Sequence, residues 1–224
     1  MKKIIGQLLI LLIAGIIAKA GVKVVATDDE NSSSVREFRY NGPDVGKYDT
    51  ATFATGCFWC TEAKFQQLKG VVKVVSGYSG GHFKSPTYEQ VSTGTTGHAE
   101  TCNIIFDPAQ ISFDELLAAF FTAHDPTQLN RQGNDIGTQY RSAIFYHSAT
   151  QKTKALYYID KLNKANAYPT KIVTEVAPYT AFYKAEDYHQ NFYNQNPQQR
   201  YCKFVIQPEL EKFRAVFKGK LKQE

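Results

Sequence analysis

Four cysteines, Cys57, Cys60, Cys102 and Cys202, carry the most reactive side chains of this 224-residue sequence, and two of them stand three apart in "GCFWC". The run "CFWCTEAKFQQLKG" is rich in helix formers and closes on Gly70, which sets Cys57 at or just inside a helix N-terminus. Unpaired backbone N–H groups and the helix dipole favour an anion there, lowering a thiol pKa and raising its thiolate fraction. A buried, inert core cysteine is the competing reading. The Cys-x-x-Cys spacing by itself fits a redox dithiol or half of a metal site. His82, His98, His124, His147 and His189 do not pair with the cysteines at zinc-finger spacing, so no metal is expected.

The elements that must hold these groups follow from composition and pattern. A chain of this length with 43% hydrophobic and 21% charged residues fits one domain with its own core. Four unevenly spaced cysteines are too few for a disulfide-stapled scaffold, which points to chemical rather than structural use. Residues 1–20, "MKKIIGQLLILLIAGIIAKA", join two lysines to an apolar run and a small-x-small ending, the pattern of a secretory signal, with an uncleaved anchor as the alternative. Membrane attachment is expected only in that second case. Removing this segment lowers the formal charge from +5 to +2, and no Lys/Arg cluster interleaves with aromatics, so no nucleic-acid partner is expected.

Residues 21–47, with "TDDENSSS", read as a polar linker. The folded unit is expected over 48–205, with 206–224 as a C-terminal tail. "YDTATFAT", "VVKVVSGYSGG", "AETCNIIFDP" and "YRSAIFYH" read as strands, and "SATQKTKALYYIDKLNKANA" as a helix. Ser112 and Glu115 stand at capping-box spacing before the apolar run "LLAAFF". The alternation gives a mixed helix-and-strand domain whose strand order is open.

Six stretches, "GCFWC", "SPTYEQV", "TGHAET", "HDPTQLNRQGNDIGTQYRSAIFY", "AEDYHQNFY" and "NPQQRYC", occur in the order seen in the A-type peptide methionine sulfoxide reductases, a family that the chain resembles from about Thr52 to Cys202. The resemblance implies an α+β fold, a two-layer sandwich on a split β-α-β (ferredoxin-like) core with a long C-terminal tail. It also implies reduction of the S-epimer of methionine sulfoxide, free or in proteins. Two departures stand out. Cys60 replaces a usual glycine, and the second resolving cysteine that some members carry at the C-terminus is missing.

A sulfoxide sulfur is a poor electrophile until its oxygen is protonated, so the reaction needs a thiolate on one side and an acid on the other. In the family register Cys57 is the nucleophile and Glu100 the acid, kept neutral if its pocket is apolar. Tyr88 and Tyr140 match the hydrogen-bond donors to the sulfoxide oxygen, Asp135 a polar orienting residue, and Phe58 with Trp59 the wall around the S-methyl group. Attack leaves a sulfenic acid on Cys57 that a second thiol condenses with. Cys202 matches the resolving position, on a segment whose Asn194, Asn196 and Pro197 suggest mobility, and the first disulfide is expected between Cys57 and Cys202. Cys60 lies one turn from Cys57 and could accept the bond or replace Cys202. Cys102 shares strand parity with Glu100 and is expected in the core.

No cofactor is implied. The resemblance points to electrons from thioredoxin or a thioredoxin-like dithiol protein, and to oxidised proteins as partners. With the signal segment, the expected location is periplasmic or extracellular. A general thiol-disulfide oxidoreductase using Cys57 and Cys60, and a secreted binding module with an inert Cys57, remain open alternatives. Met1 is the only methionine, so a processed chain would contain none to oxidise.

Overall fold

Strand alternation fixes how the first element lies. In β1 (Asp49–Thr55), Ala51 and Phe53 face the main core while Ala54 joins a smaller cluster elsewhere in the sheet, as the two-residue period of a strand requires. The structure, a computed structural model, describes residues 46–223. The expected signal segment 1–20, and the linker 21–47 apart from its last two residues, lie outside the described residues.

After β1 come α1 (Phe58–Phe65), β2 (Val71–Ser79), α2 (Tyr88–Ser92), β3 (Ala99–Phe106), α3 (Phe113–Ala123), the short pair β4 (Arg131–Gln132) and β5 (Asp135–Ile136), and β6 (Ser142–Tyr146). Then follow α4 (Ala149–Lys164), β7 (Glu175–Pro178), β8 (Phe182–Lys184), α5 (Phe192–Gln195) and α6 (Gln207–Val216). Six strands form one sheet in the order β7-β6-β1-β3-β2-β8, antiparallel except for β6 with β7. The fold is therefore mixed α+β. Phe53, Cys102, Ile104 and Phe106 from the sheet pack with Phe65, Leu117, Phe120, Tyr158 and Phe213 from the helices. A large apolar side chain buried in this way contributes about 1.5–3 kcal/mol.

The capping box before α3 forms: Ser112 Oγ accepts from the Glu115 N–H at 3.2 Å, and Glu115 Oε2 accepts from the Ser112 N–H at 2.9 Å. The first helix is shorter than its composition suggested. It ends at Phe65, and the chain turns so that Leu68 is buried and Gly70 takes a φ of +89° before β2; burial of Leu68 outweighs the helix preference of "QQLK". The expected C-terminal tail from residue 206 is instead α6. Its Leu210 and Phe213 are buried, and its Glu209 pairs at 2.7 Å with Lys64, a buried lysine of α1 that also donates to the Ala123 carbonyl. Among the described residues no helix is long and apolar enough to cross a membrane.

Candidate active site

Gly56 turns the chain from β1 into α1 with a φ of +95°, and a Cβ there would meet the Gln132 side chain at 2.6 Å. This turn leaves Cys57 as the N-cap of α1, its carbonyl accepting from the N–H groups of Cys60 at 3.1 Å and Thr61 at 3.2 Å. The expected position at a helix N-terminus is met, but the expected lowering of the thiol pKa is not. Cys57 is only 8% exposed. Burial, the Cys60 thiol and the Glu100 charge push it well above the usual thiol value, against a weaker pull from the Tyr201 hydroxyl. Desolvation outweighs the short helix end.

Glu100 sits in β3 opposite Tyr78 of β2, where all eight residues of the strand are buried. Its Oε2 accepts from the Phe58 N–H at 3.0 Å, which places the carboxyl next to the peptide that joins Cys57 to Phe58. Burial raises its pKa to about 8, opposed by that hydrogen bond and reinforced by the charge of Asp135. The side chain therefore holds a proton at neutral pH.

Tyr88 opens α2, whose Thr87 and Gln90 form a capping box. Tyr140 ends a single 3-10 turn, Thr138–Tyr140, that leads into β6. Both phenols are half-buried. Burial and then the charge of Glu100 push both pKa values up, with a further contribution from Cys57. They stay neutral donors within reach of the same two groups. The sequence-derived set of Cys57, Glu100, Tyr88 and Tyr140 is thus gathered at one place.

Phe58 is fully buried, with ring centroids 5.9 Å from Tyr78 and 5.0 Å from His189. Trp59 is half-buried and lies flat on Phe192 at 3.8 Å, with 7° between the planes. Its Nε1 donates to His189 Nδ1 at 3.1 Å, which leaves the imidazole proton on Nε2, facing Glu186 Oε2 at 3.9 Å. Glu186 in turn accepts from the Tyr78 hydroxyl at 2.8 Å and the Tyr88 N–H at 2.9 Å. Burial would raise Glu186, yet these donors and His189 hold it below the usual carboxylate value. Glu186 and His189, which sequence reasoning missed, therefore tie Trp59 to Tyr88. Both stand in "AEDYHQNFY", where the motif offered a signal but no role.

Asp135 accepts from the Tyr201 hydroxyl at 2.6 Å, and the same hydroxyl lies 3.9 Å from Cys60 Sγ. Tyr201 was also missed. A cleft of about 290 Å³ is lined by Cys57, Cys60, Asp135, Tyr201 and Phe204. Cys60 follows Cys57 by one helical turn, its N–H on the Cys57 carbonyl, and its thiol pushes the Cys57 pKa up. Cys202, expected on a mobile segment, is fully buried at the start of a single π turn, Cys202–Ile206; burial and the charge of Cys60 push its thiol up. Cys102 is a core residue as anticipated, its Sγ 3.6 Å from the Phe58 carbonyl and 3.8 Å from Ser76 Oγ. All four cysteines are free thiols.

The family model for peptide methionine sulfoxide reductase matches residues 49–221. The peptide methionine sulfoxide reductase MsrA of Acinetobacter baumannii (strain AYE) is 54% identical over 172 residues, covering 77% of this chain and 98% of that protein. The MsrA of Natronomonas pharaonis is 49% identical over 172 residues, covering 77% and 97%. Among solved structures, reduced Mxr1 of Saccharomyces cerevisiae superposes with a TM-score of 0.67 at 34% identity, covering 71% of this chain and 92% of that one. Methionine sulfoxide reductase A of Corynebacterium diphtheriae gives 0.64 at 38% identity, covering 71% and 79%. Matched along nearly the whole described region, by sequence and by fold, this chain belongs to the peptide methionine sulfoxide reductase family.

Proposed function

We propose that this chain is a peptide-methionine (S)-S-oxide reductase in which Cys57 is the nucleophile and Glu100 the general acid. The observation that carries the reading is the burial of a protonated Glu100 against the Cys57–Phe58 peptide. Glu100 gives its proton to the sulfoxide oxygen as the Cys57 sulfur attacks, and recovers the proton that the thiol releases. The oxygen passes from the methionine sulfur to the cysteine sulfur, which loses two electrons; thiol and sulfoxide become sulfenic acid and thioether. Tyr88 and Tyr140 donate to the same oxygen, and Phe58 with Trp59 receives the S-methyl group. Asp135 holds Tyr201 over the two thiols.

For the next step the geometry favours Cys60 over the order implied by the resemblance. Cys60 stands one helical turn from Cys57, its N–H on the Cys57 carbonyl at 3.1 Å, whereas Cys202 comes from a separate segment and is fully buried, its thiol raised by the charge of Cys60. In this reading Cys60 condenses with the sulfenic acid, releasing water, and Cys202 exchanges into that disulfide before a thioredoxin-like dithiol protein reduces it. In fold terms, β1 and β2 flank β3 and are joined through α1, and we read this as a split β-α-β (ferredoxin-like) unit in a two-layer sandwich. The apolar run in residues 1–20 supports export to the periplasm or exterior, cleaved or anchored.

The decisive assay offers the separated epimers of methionine sulfoxide with a dithiol reductant. Turnover of the S-epimer alone is the expected result. Disulfide exchange without sulfoxide reduction would favour the general oxidoreductase.

A further inference from the structure

Beside the candidate site lies an open trough of about 1480 Å³ whose rim carries Lys69, Lys73, Lys184, Arg214, Lys218 and Lys222. These cations are far apart in the chain. They meet because Leu68 pairs with Leu221, the Lys69 N–H reaches the Lys220 carbonyl at 2.8 Å, and the Lys222 N–H reaches the Gln67 carbonyl at 2.8 Å. The single carboxyl lining the trough among the described residues is Glu62, which is buried. Among the described residues, only Lys184 of the six forms an ion pair, with the exposed Asp187 at 2.6 Å. Arg214 and Lys222 instead donate to uncharged oxygens, Gln67 Oε1 at 2.6 Å and the Gln66 carbonyl at 2.7 Å. The lining therefore sets six cations against one buried carboxyl among the described residues.

The trough adjoins the site through one short segment. Glu62 in its floor is lowered by the backbone N–H groups of Asn191 and Phe192 against the stronger rise from burial, Asn191 also lines the trough, and Phe192 is the ring stacked on Trp59. Along α1, Glu62 stands about 4.5 Å from Trp59 at the usual helical rise. An extended polypeptide advances about 3.3 Å per residue, so residues a few positions from a bound sulfoxide fall within the trough. No aromatic side chain lines it, which removes the stacking surface that single-stranded nucleic acid uses. Its concavity suits a polypeptide better than a flat bilayer.

We propose that this trough binds the acidic flank of an oxidised polypeptide whose methionine sulfoxide occupies the site beside Trp59. The proposal rests on the methionine sulfoxide reductase reading and adds a substrate class to it: sulfoxides followed or preceded by Asp and Glu. The attraction is between exposed charges, so it acts mainly on the encounter and weakens with salt.

The test compares two methionine-sulfoxide peptides, one with three glutamates and one with three serines at the flanking positions, and free methionine sulfoxide as control. The protein is the full chain and its K69Q/K73Q/K218Q variant, all three lysines being exposed and outside the proposed chemistry. At low ionic strength the acidic peptide should have a kcat/KM about fivefold above the serine peptide, falling towards parity at high salt. The variant should lose that advantage and keep the parent rate on free methionine sulfoxide. Equal kcat/KM for the two peptides in the parent overturns the proposal, as does an advantage that survives in the variant. Lysine-dependent binding to phosphatidylglycerol vesicles without any peptide preference would overturn it in favour of a membrane surface. Failure to reduce free methionine sulfoxide would strike the underlying reading instead, and that arm separates the two.

Discussion

The Phe58 N–H donates to Glu100 Oε2 at 3.0 Å, one residue along the chain from Cys57. The Glu100 carboxyl is thereby fixed to the peptide that joins Cys57 to Phe58, and neither Glu100 nor Cys57 can shift far without the other. Because that hydrogen bond uses only Oε2, Oε1 is left to hold the proton.

Glu100→Gln should slow the reductive step by about 10²- to 10⁴-fold, the scale of lost general acid catalysis. The amide still donates a hydrogen bond but cannot release a proton, so substrate affinity should change little. Single-turnover kinetics against sulfoxide concentration checks both. An unchanged rate would make Glu100 a packing residue.

Stability should fall as pH rises from the upper end of the ordinary histidine range towards 8; below that range the buried His124, lowered to about 3, and the lowered His98 and His189 contribute the opposite slope. Glu100 is raised to about 8 and Glu62 to about 7 by burial. Between their unfolded and folded pKa values the folded chain binds more protons than the unfolded one, so deprotonation favours unfolding across that window. Denaturant titrations at a series of pH values should show the slope, and Glu100→Gln should flatten it. A slope of opposite sign above the ordinary histidine range would mean that these carboxylates are ionised in the fold.

The resolving order can be read by mapping disulfides after one equivalent of sulfoxide. The parent should show Cys57–Cys60 first and a bond involving Cys202 later. Cys60→Ala should accumulate sulfenic acid on Cys57, and Cys202→Ala should still form the local pair. Early formation of Cys57–Cys202 in the parent, at an undiminished rate in Cys60→Ala, would restore the order implied by the family.

Glu62→Ala removes the carboxyl whose pKa the N–H groups of Asn191 and Phe192 lower. Because Asn191 is exposed and Phe192 half-buried, losing this interaction costs about 0.5–1.5 kcal/mol. As Phe192 loosens from Trp59, KM for methionine sulfoxide should rise more than kcat falls. Denaturation midpoints and steady-state kinetics check the two halves. A fall in kcat alone would place Glu62 elsewhere in the mechanism.

Much of this arrangement was legible in the sequence. The Ser112/Glu115 box marked α3, "YDTATFAT" read as the strand that is β1, and the Gly56-Cys57 pair marked a strand-to-helix turn. The rest depended on contacts between distant residues. The charge state of Cys57 could not be read from its helix end, because burial in the fold, and then the Cys60 thiol and Glu100 charge brought beside it, reverse that effect. β7 and β8, with four and three residues, are too short to show a period, and α6 looked like a tail because only Leu210 and Phe213 of its ten residues are buried. Asn191, with a φ of +53°, breaks the chain before Phe192 and sets the ring on Trp59, which no local pattern announces. The lysines of the trough likewise gather only once Leu68 meets Leu221.

The stack of Trp59 on Phe192 also has an optical consequence. Trp59 is the only tryptophan in the chain, so all indole fluorescence of the protein originates at the site. The emitting ring is hydrogen-bonded to His189 and, in the proposed function, meets the methyl group of the substrate. Sulfoxide binding, sulfenic acid formation and disulfide closure would each alter the polarity or quenching around one chromophore. The catalytic cycle can therefore be followed by stopped-flow emission without a label or an engineered probe.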